Sequence, residues 1–211
     1  MIPPGETVTM VTDYLLALVA LMAAAWLWRR ARGLPGRYWA AAFVASGAAA
    51  ILGGTSHGYA PVLHPWTRGL VWRLTYVTVE IANLCVLYGA ALAGLSARLH
   101  RLALAFLLRR LVVVSAALIA FAQMRHVVVD YAITLVGIVG LGAALTARGH
   151  PAARWVIAGA AVSFLGAVVQ FARIGQGRAF NHNDVFHVLQ AIGIVLYARG
   201  GRDLVRREPS W

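Results

Sequence analysis

The sequence predicts an all-α integral membrane protein, a single bundle of seven transmembrane helices over residues 1–211, and three observations predict it. Of the 211 residues 61% are hydrophobic and 12% charged, with mean hydropathy +0.73, too apolar for a surface that faces water. The apolar runs are continuous and rich in Ala, Leu, Val and Gly, whereas barrel strands alternate over about ten residues. Seven runs approach or exceed the roughly 20 residues that cross about 30 Å of hydrocarbon as a helix. In hydrocarbon every backbone N–H and C=O must be paired inside the structure, and a helix does so within one segment.

The spans fall near 10–28, 38–57, 71–95, 104–124, 127–147, 153–173 and 183–199. The first has no basic residue ahead of it, carrying Glu6 and Asp13 at its start and Arg29, Arg30 and Arg32 after it, and so reads as a retained anchor with its N-terminus outside. The second is dense in Ala40, Ala41, Ala42, Ala45, Ser46, Gly47 and Ala48, and the fifth in Gly137, Gly140 and Gly142, which lets helices approach closely. Arg109 and Arg110 interrupt the fourth. They are expected to snorkel to the interface, or residues 97–110 to form an amphipathic surface helix. The connections are too short for a second folding unit.

The formal charge of +12 comes with 19 basic residues, every one an arginine. Without lysine there is no amine for a retinal Schiff base, which excludes a rhodopsin. Most arginines lie between apolar runs, so they read as topology signals and not as a nucleic-acid surface. One set of alternate connections holds 14: Arg29, Arg30, Arg32, Arg37, Arg98, Arg101, Arg109, Arg110, Arg148, Arg154, Arg199, Arg202, Arg206 and Arg207. The other holds 5: Arg68, Arg73, Arg125, Arg173 and Arg178. The positive-inside rule then puts the N-terminus outside and the C-terminus in the cytoplasm. The single Cys85 lies in an apolar run and excludes a disulfide framework.

On that topology the polar residues gather toward the non-cytoplasmic face. The second span exits with Thr55, Ser56 and His57, the third enters with Arg73, Tyr76, Glu80 and Asn83, and the fourth exits with Gln123 and His126. The fifth begins with Asp130, the sixth ends with Gln170 and Arg173, and the seventh begins with His182, Asn183, Asp184, His187 and Gln190. Helical spacing puts Arg73, Tyr76, Glu80 and Asn83 on one stripe and Asn183, Asp184, His187 and Gln190 on another. A charge at depth costs at least about 2.5–3.5 kcal/mol, so the stripes are expected to face one another around a polar cavity. His57 and His187, at similar depth, read as ligands of one common site. Glu80 reads equally as a catalytic carboxylate or as the ion-pair partner of Arg73 or Arg173. Asp130 is expected at the solvated interface, and Asn183 or Asp184 also suits a helix cap.

The segment Asn181-His182-Asn183-Asp184-Val185-Phe186-His187-Val188-Leu189-Gln190-Ala191-Ile192-Gly193 resembles the final helix of the CREST superfamily of seven-helix membrane proteins. That group includes alkaline ceramidases and the progestin and adiponectin receptors. Its last helix carries His-x3-His, its second a Ser and a His, its third an Asp, and its histidines hold zinc. Ser56 and His57, then Glu80, then His187 follow that order, as in a diverged bacterial branch. The departures are Asn183 at the first histidine, Gly53 at the serine of Ser-x3-His, and Glu80 for Asp.

The resemblance implies zinc held by His57 and His187, with His182 or Asp184 as third ligand and an open position for water. A metal-activated water would attack a lipid amide or ester, Glu80 taking the proton and Ser56 or Tyr76 steadying the oxyanion. The expected setting is the bacterial inner membrane, with the site facing the periplasm or exterior and membrane lipids as partners and substrates. The alternative is a non-catalytic ligand- or metal-binding membrane protein, receptor- or transporter-like, which needs the same cavity without the chemistry. Haem held by His57 and His187 would give no reason for Glu80, Asp130 and Asp184 at the same level.

Overall fold

The computed structural model describes residues 4–31, 33–121, 123–175, 177 and 180–206. Arg32, Arg178 and Arg207, used in the charge count, lie outside them. The chain forms seven helices among the described residues: α1 (Pro4–Trp28), α2 (Leu34–Tyr59), α3 (Pro65–Gly94), α4 (Ala97–Phe121), α5 (Met124–Ala147), α6 (Ala153–Ala172) and α7 (His182–Arg206). Each expected span lies almost wholly within one helix; α1, α2, α3 and α4 begin four or more residues earlier, and α7 runs on past residue 199 to Arg206.

The ends have local causes. Pro35 and Pro65 sit in the first turns of α2 and α3, where the missing N–H is no loss. His64 caps α3 by accepting from Trp66 N at 3.3 Å. Arg173 stops α6 in the left-handed region, at φ 54°.

Six helices, α1 to α6, are long and apolar enough to cross a membrane. The seventh has the length, at 25 residues, but carries His182, Asn183, Asp184, His187 and Gln190 at one end and Arg199, Arg202 and Asp203 at the other. It can be this polar because it packs against α6, α1 and α2. The packing order α1, α2, α3, α5, α6, α7 returns to α1, and α2 also touches α7. Helix α4 stands outside this ring against α3, presenting Leu102, Phe106 and Val112 outward at about two-thirds exposure (67%, 67% and 68%). It is a continuous helix and not a short surface segment. Arg109 is exposed and Arg110 turns inward, so interfacial snorkelling is not needed for Arg110.

Small residues make the ring tight at the end opposite His57. Trp39 is fully buried, donates from Nε1 to Val86 O at 3.2 Å and meets Tyr197 edge-on with centroids 5.9 Å apart. Gly89 is the floor of that pocket, since a Cβ there would lie 2.4 Å from Trp39 Cδ1 and 3.0 Å from Pro35 O. Overpacking of this kind costs about 1–3 kcal/mol. Gly89→Ala should therefore lower the thermal unfolding midpoint in detergent, and Gly140→Ala, which meets nothing within 4 Å, should leave it unchanged.

Candidate functional site

The site is built first from α1, which the sequence offers only as an anchor. Because α1 begins at Pro4, Glu6, Thr9 and Asp13 fall within it at i, i+3 and i+7 and share one face, with Thr12 beside them. That face meets the starts of α7 and the end of α2. Asp13 Oδ1 lies 3.2 Å from His187 Nε2, Thr12 Oγ1 lies 3.0 Å from His187 Nδ1, and Glu6 Oε2 lies 2.7 Å from His57 Nδ1. Each histidine thus has its own carboxylate, and both come from α1.

A hydroxyl has one proton, yet Thr12 Oγ1 also lies 3.0 Å from Thr9 O and 3.2 Å from Asp184 Oδ1. The direction in which Thr12 donates and the tautomer of His187 are therefore set together. Asp184 accepts from Asn181 N through Oδ2 at 2.7 Å, and Asn181 Oδ1 accepts from Asn183 N at 2.8 Å. This is a reciprocal capping box, with Asn181 at the cap and Asp184 three residues on. Asn181 Nδ2 ties it to α1 by donating to Thr9 Oγ1 at 3.1 Å.

An elongated cavity of about 220 Å³ runs inside the ring, lined by Asp13, His57, Trp72, Tyr76 and His187 toward one end and by Ala42, Phe43, Val86, Ile194 and Tyr197 toward the other. Its lining extends from His57 to Ala42 along α2 and from Trp72 to Val86 along α3, which at 1.5 Å per residue is about 20 Å. A second space of about 450 Å³ adjoins its polar end, sharing His57, Trp72, Tyr76 and Asn183 and adding Arg173 and His182. Asp13 Oδ2 is buried without a hydrogen bond. It occupies the room left by Gly53, where a Cβ would sit 3.3 Å from it, so the position at which the resemblance implies serine is filled by a carboxylate.

The sequence-derived site residues do not all meet. His57 and His187 line one cavity, and Tyr76 lies beside them. Ser56 is buried, with Oγ unpartnered, and is absent from the lining. Glu80 is likewise absent from it; Asn83 donates to its Oε1 at 3.3 Å, and Arg110 Nη2 lies 3.9 Å from its Oε2. Its arginine is thus Arg110, and not Arg73, which reaches Ile119 O. Asp130 is buried, 8% exposed, and pairs with the same Arg110, so it is not interfacial. His182 lines the outer space only.

The zinc set implied by the resemblance does not fit this arrangement. Both ring nitrogens of His187 and both oxygens of Asp184 are engaged. Among the described residues no three His, Cys, Asp or Glu side chains are grouped to hold a metal ion. Asp13 Oδ2, which the resemblance does not count as a ligand, is buried beside His187 without a hydrogen bond. The fold and the site define a seven-helix chain with a polar-ended cavity along its axis. The chain belongs to the family described as "Family of unknown function (DUF6962)", whose model matches residues 8–206. No curated protein and no solved structure matches it.

Asp184→Ala removes a capping contact worth about 0.5–2 kcal/mol and should lower the unfolding midpoint without changing the metal content of purified protein. Elemental analysis that finds a metal in wild type and none in the variant would return Asp184 to a ligand role.

Proposed function

We propose that this protein is an integral membrane protein that takes a single-chain lipid amphiphile into the bundle, apolar tail along the axis and head group between His57, His187 and Asp13. The observation that carries this reading is the cavity's shape and chemistry together. It is about 20 Å long, as above, apolar along Ala42, Phe43, Ala50 and Val86, and ends on a buried Asp13 oxygen with no donor. A buried acceptor left unpaired costs about 1–3 kcal/mol, which a ligand hydroxyl or amide N–H would relieve. Ligand sites of this kind are mostly apolar with a few converging polar groups.

The polar end is assigned to the non-cytoplasmic side, and the N-terminus with it. The arginine count supports this, and so does the opposite end, where Arg30 and Arg202 stack on Trp26 at 4.7 and 5.9 Å and Arg154 and Arg199 on Trp155 at 4.9 and 5.0 Å. In a bacterium this is the inner membrane, with the site open to the periplasm.

Hydrolysis of a lipid amide or ester is the second reading, and the His57–Glu6 pair favours it. A carboxylate on Nδ1 fixes the tautomer and orientation of the imidazole, leaving Nε2 to take a proton from water beside a bound head group.

Three outcomes are expected. Lipid extracted from the purified protein should contain a stoichiometric single-chain amphiphile, and Ala50→Leu, which fills the tail channel, should reduce its recovery about tenfold, equivalent to about 1.4 kcal/mol, at an unchanged unfolding midpoint. Recovery independent of that substitution contradicts the reading. Ala60→Cys in intact cells should react with an impermeant maleimide and Gly149→Cys only after permeabilisation; the reverse pattern inverts the topology. Elemental analysis of wild type beside His57→Ala and His187→Ala should show no stoichiometric zinc, and zinc present in wild type but lost in both variants would replace the binding reading with the metal-dependent hydrolase.

A further inference from the structure

A second cluster of ionisable groups lies away from the two histidines, between α3, α4 and α5. Glu80 is 1% and Asp130 8% exposed. Asn83 spreads its amide between them, donating from Nδ2 to Glu80 Oε1 at 3.3 Å and to Asp130 Oδ2 at 3.2 Å. Arg110 is in direct contact with Asp130 Oδ2 and donates to Thr134 Oγ1 at 2.9 Å. It stops 3.9 Å from Glu80 Oε2, a buried oxygen with no hydrogen bond.

The count of charges is two carboxylates against one guanidinium. Among the described residues no other group repairs the balance. On α2 the sequence between Tyr38 and His57 has no titratable side chain. On α3 the neighbours are Tyr76, one turn outward, and Cys85; on α4 Arg109 is exposed; on α5 Tyr131 donates to Gln190 on α7. Fully ionised, the cluster carries an uncompensated negative charge inside hydrocarbon, and like-charged carboxylates sharing a site do not both ionise.

We propose that Glu80 and Asp130 form a proton-binding site in which the pair holds one proton at neutral pH, carried on Glu80 while Asp130 keeps its charge against Arg110. The ligand is a proton and not a metal cation, because the groups that reach the two carboxylates are N–H donors of Asn83 and Arg110, which repel a cation. The neutral cluster is also what docks α4. That helix buries only Leu107 and Leu118 among its apolar side chains, so the inward Arg110 supplies the specific contact that places it.

The test is infrared spectroscopy of the purified full chain in detergent at neutral pH with no ligand added, which leaves it independent of what the cavity binds. Wild type should show a deuterium-sensitive protonated-carboxyl band that shifts on 13C-carboxyl labelling of glutamate. Glu80→Gln and Asp130→Asn should each abolish the band, since either leaves one carboxylate for one arginine, whereas Asp13→Asn should retain it. Glu80→Gln combined with Asp130→Asn strands Arg110 and should unfold at lower temperature than either single variant. No such band in wild type overturns the proposal, and so does a band that survives Asp130→Asn, which would mean an isolated neutral glutamic acid. An unfolding midpoint raised by sodium over choline at constant ionic strength, in wild type and not in Glu80→Gln, would overturn it in favour of a cation. The wild-type labelling result stands even if a variant fails to fold.

Discussion

The contact between the polar face of α1 and the start of α7 is the interaction on which the arrangement depends. Thr9, Thr12 and Asp13 on one side meet Asn181, Asp184 and His187 on the other. Thr9, Asp13, Asp184 and His187 are buried, so each is held by the penalty for leaving it unpaired. The contact closes the ring of helices and fixes the start of α7 through its capping box. It also aims His187 at the cavity. With α1 removed from that position, His57 and His187 would both lose their carboxylates.

The same rule explains why the two ionisable clusters differ in kind. At the polar end of the cavity carboxylates meet imidazoles, which can share or exchange a proton without creating a net charge. Between α3, α4 and α5 the carboxylates meet a guanidinium that stays charged, and the surplus acid has to be neutralised there. The cavity is left with largely apolar walls, with unpartnered acceptors of Asp13 and Gln170 at its polar end and the Tyr197 hydroxyl toward the other, which suits an amphiphile better than an ion.

Much of this was legible in the sequence and the rest was not, for definite reasons. Apolar run length marks the seven helices, six of them apolar enough to cross a membrane, because hydrocarbon thickness sets a minimum that ordinary helices do not need. The gathering of His57, Tyr76, Asn183, His187 and Gln190 around one cavity followed from helical spacing and alternating topology. Hydropathy starts the first span at residue 10, which leaves Glu6 outside the span although α1 carries it and makes Asp13 a flanking charge; their i, i+3, i+7 spacing with Thr9, at the same end as His57 and His187, is the available signal. The sequence gives no sign of the Arg110 pairing, because its partner Asp130 lies 20 positions away on a different helix and no periodicity links them. Asp184 reads from the sequence as ligand or cap, and it is the bond it accepts from Asn181 N that puts it in the cap.

The central claim is that protein side chains, and not a metal ion, hold His187 in place. The most direct measurement is the imidazole 15N spectrum of histidine-labelled protein in detergent micelles, recorded with and without chelator and in Asp13→Asn and Thr12→Val. The account predicts that the His187 resonances move in both variants and are indifferent to chelator. Resonances of His57 and His187 that move together on chelation, and stay fixed when Asp13 or Thr12 is replaced, would contradict it.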